Sequence, residues 1–317
     1  MEQLGLEGMP RRLYSCTPSR LNSWLDCRRR YRFAYLDRPA PPKGPPWAHN
    51  SVGAAVHNAL AAWWREPYER RTPMTAAILV SNGWIAEGFR DQEQSLAWRD
   101  RAREMVSGYV ATLDAADEPV GVERTVATRT AIIAVSGRID RLDGRGDELV
   151  VVDYKTGRRP PGPDDARSSL ALAIYAVAAS RVLRRSCHRV ELHHLPTGQI
   201  ADWEHTDETL TRHLGRAEQI AEEASTADET YRARLPSTGK RSGRGFAAAK
   251  FAAPGSAPAE SNSPGVALVP PEIDALFPPS PGPICSWCDF RRHCPEGRTA
   301  APDKSPWDGL ATPEPAL

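Results

Sequence analysis

Two aspartates and a lysine carry the clearest chemistry in this sequence. They lie in Ser136-Gly-Arg-Ile-Asp140-Arg-Leu-Asp143 and Leu149-Val-Val-Val-Asp153-Tyr-Lys155-Thr-Gly157. Val150–Val152 reads as a buried strand that ends abruptly in charged residues, and such residues at the end of a core strand usually serve function. Two strands joined by a tight turn over 143–147 would set Asp140 beside Asp153. Their charges would repel unless a divalent cation sat between them. Mg²⁺ and Mn²⁺ are hard ions that take carboxylate and carbonyl oxygens. Asp153 and Lys155 are two apart on one strand, so their side chains face the same way. A lysine there can orient a metal-bound water or neutralise charge on a phosphate oxygen. Tyr154 faces away, although its carbonyl can still reach the metal. Glu123, on the preceding strand, is either a further ligand or an exposed strand carboxylate. His57 lies among Ala54, Ala55, Val56, Ala59 and Leu60, an apolar helix where an imidazole needs a partner. A metal site and a core hydrogen bond would both suit it.

A second constellation is built from cysteines. Six occur, and Cys285-x2-Cys288-x5-Cys294 places three within ten residues. In a chain of this size without a secretory leader, such clustering points to a metal site rather than disulfides. Tetrahedral binding needs a fourth ligand, which Cys27, His293 or His188 could supply. Spacing alone fits zinc or a [4Fe–4S] cluster, and frequency favours zinc. Arg28, Arg29, Arg30 and Arg32 follow Cys27, and Arg291 and Arg292 lie beside the other cysteines. If the cysteines meet, these charges meet, giving a surface suited to DNA phosphates.

The elements that must position these groups follow from periodicity. Residues 17–36 read as one helix capped by Thr17 or Ser19, and 51–66 as a second. Residues 74–113 are mostly helical, in one or two pieces. From about 120 the pattern changes to strands, with candidates at 120–126, 131–135, 138–142 and 148–153. An apolar helix over 168–184, a hairpin over 188–205 and a helix to about 227 complete a mixed α/β core. Residues 233–283 hold ten of the 29 prolines and read as a disordered linker. The expected organisation is therefore a mixed α/β core with a helical N-terminal part over 13–232, a linker over 233–283, a cysteine segment over 284–297 completing the core, and a disordered tail over 298–317.

Composition sets outer limits. The chain has 317 residues, 41 Lys+Arg against 40 Asp+Glu, and 40% hydrophobic residues. That is globular composition, and nucleic-acid binding must come from local patches because the net charge is only +1. No run of about 18 apolar residues occurs, so no membrane span is expected. The first residues lack the apolar stretch of a signal peptide. A cytoplasmic protein is the expectation.

Together the motifs resemble the PD-(D/E)xK nuclease superfamily, in the branch similar to the RecB nuclease domain and the CRISPR-adaptation nucleases. The Gly-x-x-Asp, strand, Asp-x-Lys arrangement carries the likeness. Gly53-Ala-Ala-Val-His57 matches that branch's Gly-x-x-x-His helix, and Tyr14–Leu21 with Cys27–Phe33 resembles its opening helix. Cys285–Pro295 resembles its closing cysteines. The resemblance implies a restriction-endonuclease-like fold, a central mixed sheet flanked by helices. It implies Asp140, Asp153 and Lys155 as catalytic residues, His57 as a ligand of Mg²⁺ or Mn²⁺ with Asp140 and Asp153, and Cys27, Cys285, Cys288 and Cys294 as ligands of a [4Fe–4S] cluster. Tyr175 matches the branch's Gln-x-x-x-Tyr helix and is a candidate DNA contact, but Ala171 stands where the glutamine would be. The implied activity is metal-dependent DNA cleavage, as an exonuclease on single strands or ends in repair or recombination. Alternatives are an inactive, cluster-bearing DNA-binding subunit beside a helicase, or a nuclease of CRISPR adaptation. Ser237-Thr-Gly239-Lys240 lacks the upstream glycine of a nucleotide-binding loop, so any helicase would be a separate protein.

Overall fold

The computed structural model describes residues 13–234 and 270–310. A six-stranded mixed sheet organises them, in the order β1-β3-β4-β5-β6 with β2 paired to β3. The elements run β1 (Tyr14–Cys16), α1 (Pro18–Asp26), α2 (Arg28–Tyr35), α3 (Ala48–Arg65), α4 (Pro73–Asn82), α5 (Gln92–Val110), β2 (Gly121–Arg129), β3 (Ile133–Arg145) and β4 (Glu148–Lys155). Then come α6 (Pro163–Ser168), α7 (Leu170–Leu183), β5 (Ser186–His194), β6 (Gln199–Glu204), α8 (Asp207–Arg234), α9 (Pro271–Asp274) and α10 (Pro295–Ala300). This is the expected α/β architecture, a central mixed sheet flanked by helices. None of the described helices is long and apolar enough to cross a membrane.

Strand alternation decides which helix covers which face. Val150, Val152 and Tyr154 pack with α3, α4 and α5, burying Val52, Val56, Leu60 and Trp63 at helical spacing. Leu149 and Val151 face the other way and pack under α7 with Leu172, Ala173 and Ala176. Each large side chain so buried contributes about 1.5–3 kcal/mol. β3 is a single strand where two were expected, and it is long enough to serve both edges. β2 runs along one edge in antiparallel register, while β1 (parallel) and β4 (antiparallel) share the other. The ladder continues to Arg145↔Glu148, so the expected five-residue turn shrinks to Gly146 and Asp147.

The expected first helix is two. Thr17 caps α1 by accepting the Arg20 N–H at 3.2 Å. At Cys27 the backbone becomes extended, with φ −166° and ψ 115°. Its N–H still closes α1 on the Ser23 carbonyl, and its own carbonyl opens α2 by accepting the Tyr31 N–H.

Two expected disordered stretches contain structure. Most of the supposed linker lies outside the described residues, but from Pro270 the chain is anchored. Ile273 and Phe277 are buried against α1, α2 and α8, and Asp274 accepts Arg29 at 2.7 Å and Arg32 at 2.6 Å. The described part of the supposed tail, 298–310, returns to the core. The Ala48 N–H donates to the Pro306 carbonyl, Trp307 packs against the α3–α5 core and Leu310 is buried in it. The proline content suggested disorder, whereas the interspersed apolar and acidic residues supply anchors.

Asp274 therefore holds two nearly buried guanidinium groups. Asp274→Ala is expected to cost about 1–3 kcal/mol, less than the loss for a fully buried pair because the carboxylate is partly exposed. Chemical denaturation of the variant measures this directly.

Candidate active site

The β3–β4 register pairs Arg141 with Val152, which brings Asp140 alongside Asp153 at the open end of the hairpin. The Asp140 Oδ2 accepts the Tyr154 N–H at 2.9 Å. His57, reaching in from α3, places Nδ1 3.3 Å from the same oxygen and Nε2 3.1 Å from the Tyr154 carbonyl. Burial works against a charge on His57, but the Asp140 hydrogen bond and the charges of Asp140, Asp153 and Glu123 raise its pKa overall. When Nε2 carries the proton toward the Tyr154 carbonyl, Nδ1 presents a lone pair toward Asp140.

Asp153 is desolvated. Burial and the charge of Asp140 raise its carboxyl pKa, against the pull of Lys155. Lys155 Nζ lies 2.5 Å from Asp153 Oδ2, yet that oxygen is buried without a well-directed hydrogen bond. It is a carboxylate held close to a cation and not satisfied by it.

Glu123 completes the group in a strained conformation. Within the β2–β3 ladder it falls opposite Asp140, with Val122↔Arg141 and Arg124↔Ile139 on either side. Its φ is +49°, a left-handed value that costs a residue other than glycine about 1–2 kcal/mol. Burial raises its pKa, Arg138 opposes that, and Asp140 adds to it. Its Oε2 lies 2.7 Å from Arg138 Nε. Strain of this kind persists where the surroundings over-determine the position, as at binding sites.

The donor set suits a hard divalent cation. His57, Glu123 and Asp140 offer ligand atoms within 4.8 Å of one another, and the unsatisfied Asp153 oxygen lies beside them. Two or three oxygens with one imidazole match Mg²⁺ or Mn²⁺ better than a thiolate-seeking ion.

Tyr175 on α7 also reaches this end of the sheet. Burial, together with the charges of Asp153 and Asp140, raises the pKa of its hydroxyl. The ring crosses β3 at Gly137, where a Cβ would overlap ring carbon Cε1. Ala171, one turn earlier, is partly buried.

The cysteines converge as well. Cys27, Cys285, Cys288 and Cys294 line one cavity with Phe33, Phe290 and Gly297. None is disulfide-bonded, and burial raises the pKa of Cys288 and Cys294. Of the other fourth-ligand candidates, His188 bonds Asp207 and His293 bonds the Pro42 carbonyl. Cys16 and Cys187 are buried in separate core clusters.

The arginines expected to bind DNA divide. Arg29 is tied to Asp274 and Glu296, and Arg32 to Asp274 and Asp37. Both are buried, so they clamp the cysteine segment and offer no surface to phosphate. Arg28 pairs with Glu223 and Arg30 with Asp26 in more exposed bridges.

Sequence reading missed a closed polar ring behind the hairpin. Arg141 donates to Asp143 and to the Tyr109 hydroxyl. Tyr109 bonds His193, and His193 bonds Glu191. Arg145 links Glu191 back to Asp143. Burial opposes a charge on Glu191, but His193, Arg145 and Arg189 hold its carboxyl well below the usual range. The signal was present as polar residues at period two, 141-143-145 and 191-193, on the face covered by α5.

The family profile of the PD-(D/E)XK nuclease superfamily matches residues 15–295. The chain belongs to that superfamily. No curated protein matches it. A solved structure from Eubacterium rectale, provisionally named an exonuclease, is 10% identical, covering 68% of this chain and 82% of its own at a TM-score of 0.44.

Gly137→Ala tests the packing of this end of the sheet. The added methyl must displace the Tyr175 ring, with an expected cost of about 1–3 kcal/mol. The denaturation midpoint and the tyrosine's near-ultraviolet dichroism should both change.

Proposed function

We propose that this nuclease is a metal-dependent DNA exonuclease of RecB-like type, acting on single strands or ends in repair or recombination. The convergence of Asp140, Asp153 and Lys155 with His57 and Glu123 at the open end of one hairpin carries the reading. Asp140, Asp153 and His57 would hold Mg²⁺ or Mn²⁺, with Glu123 and the Tyr154 carbonyl as further ligands; when bound, such an ion would polarise the scissile phosphate and lower the pKa of a water. Lys155, held by Asp153, positions that water and offsets the charge that develops on phosphate oxygens. The Tyr154 N–H fixes the Asp140 carboxylate, and the Tyr154 carbonyl fixes the His57 ring. Hydrolysis then joins the water oxygen to phosphorus, breaks the opposite P–O bond and leaves a proton on the departing sugar oxygen. Tyr175 contributes a DNA contact beside the site, and Arg28 and Arg30 contribute weaker ones near the cysteines, where both are bridged to carboxylates.

The four cysteines are assigned to a [4Fe–4S] cluster. Cys27, Cys285, Cys288 and Cys294 line one cavity, and the likeness of their spacing to the branch's cysteines favours the cluster over zinc.

Asp153→Ala is expected to lower cleavage of end-labelled single-stranded DNA by at least about a thousandfold. Chelation of the parent should do the same, with Mg²⁺ or Mn²⁺ restoring it. Cleavage retained by the folded variant would reject the site. Protein purified without air should absorb visible light, and Cys288→Ser should lose that absorbance together with stability. A colourless parent containing zinc would reject the cluster.

A further inference from the structure

A groove leaves the carboxylates and passes between α5 and the 306–310 segment. It encloses about 670 Å³ and is lined by Trp98, Arg101, Met105, Lys155, Arg158 and Leu310, among others. A neighbouring depression shares Trp98, Arg101, Arg158 and Leu310 and extends the channel to Arg90 and Gln94. Trp98, Arg101 and Met105 are spaced three and four apart, so α5 presents them on one face.

The charges in this groove stand apart from those around them. Arg99 and Arg103 share Asp100, and Arg159 pairs with Asp165. Arg101 and Arg158, their immediate sequence neighbours, have neither a carboxylate nor a hydrogen-bond partner among the described residues. The Arg101 guanidinium instead lies over the Trp98 ring, 5.1 Å from its centroid. The acidic residues nearby are Glu93 and Asp308, and Asp308 accepts the Ser305 N–H. Two unpaired guanidinium groups beside a half-buried indole, opening on a phosphodiester-cleaving site, match a nucleic-acid strand with unstacked bases. Arginine meets the backbone, and an aromatic face accepts any base.

We propose that this groove binds single-stranded DNA leading to the carboxylates, with Arg101 and Arg158 on its phosphates and Trp98 stacked on an unpaired base. The assignment rests on the nuclease reading for its polarity of charge and deepens it by naming the path of the strand. Duplex DNA cannot satisfy it, because a paired base offers no free face to Trp98.

Binding without cleavage tests the groove. The probe is a fluorescently labelled oligothymidylate, titrated by anisotropy in EDTA across a salt series. Each phosphate contact on a single strand contributes about 0.7 to the slope of log affinity against log salt. The Arg101→Gln, Arg158→Gln double variant is expected to flatten that slope by about 1.4. Trp98→Leu, which keeps an apolar side chain against the core, is expected to weaken binding about fivefold or more. Unchanged affinity and slope in variants that melt like the parent would overturn the proposal. So would blunt duplex competing as well as the single strand. A parent that binds through this groove but leaves DNA intact with Mg²⁺ and Mn²⁺ would instead reject the nuclease reading and leave the groove standing.

Discussion

Mutual repulsion among half-buried carboxylates is the constraint around which this structure is organised. Asp140 and Asp153 are forced together by the β3–β4 register, and Glu123 falls opposite Asp140 on β2. Burial raises the pKa of both Asp153 and Glu123. Three groups compensate, each from a different direction: Lys155 on β4, Arg138 on β3 and His57 on α3. None does so completely, since Asp153 keeps an unsatisfied oxygen and Glu123 keeps a strained backbone. A site that stays short of positive charge despite three cationic neighbours is poised for a divalent ion. The sheet must therefore be stiff enough to hold a cluster that its own electrostatics would push apart.

Part of that stiffness lies behind the hairpin. The ring through Arg141, Asp143, Arg145, Glu191, His193 and Tyr109 crosses β3 and β5 and reaches α5. Every member has a partner on each side, the condition under which buried polar groups rigidify rather than weaken a core. It fixes β3 at Arg141, next to Asp140, and β5 at Glu191 and His193, on either side of the Leu192 that pairs with Asp153.

Much of this was legible in the sequence because it is local. The Asp-x-Lys strand end, the hairpin and the close spacing of Cys285, Cys288 and Cys294 are short-range patterns, and the structure places them as those patterns imply. What failed was long-range. The arginines after Cys27 read as a free basic patch because their carboxylates, Asp274 and Glu296, lie more than two hundred residues away in sequence. The break at Cys27 was hidden because arginine and tyrosine continue a helical pattern on both sides. The anchor at Ile273 and Phe277 was hidden by prolines, which mark a loop path without saying whether it is pinned. The left-handed turn at Glu123 leaves the period-two alternation intact and so has no sequence signature at all.

The pairing of arginines also resolves why a DNA enzyme can be nearly neutral. Net charge counts every ionised group equally, but a guanidinium bridged to a carboxylate presents little field to a phosphate, whereas an unbridged one presents most of it. In this chain the clamp arginines Arg29 and Arg32 are cancelled at short range by Asp274, Glu296 and Asp37. These bridges withdraw two positive and three negative charges from the surface balance without changing the total. The charge that remains available is set by geometry, by which side chains folding brings within 4 Å of one another. Composition is therefore silent about where a nucleic acid binds, and the reading must rest on the arginines that folding leaves without partners.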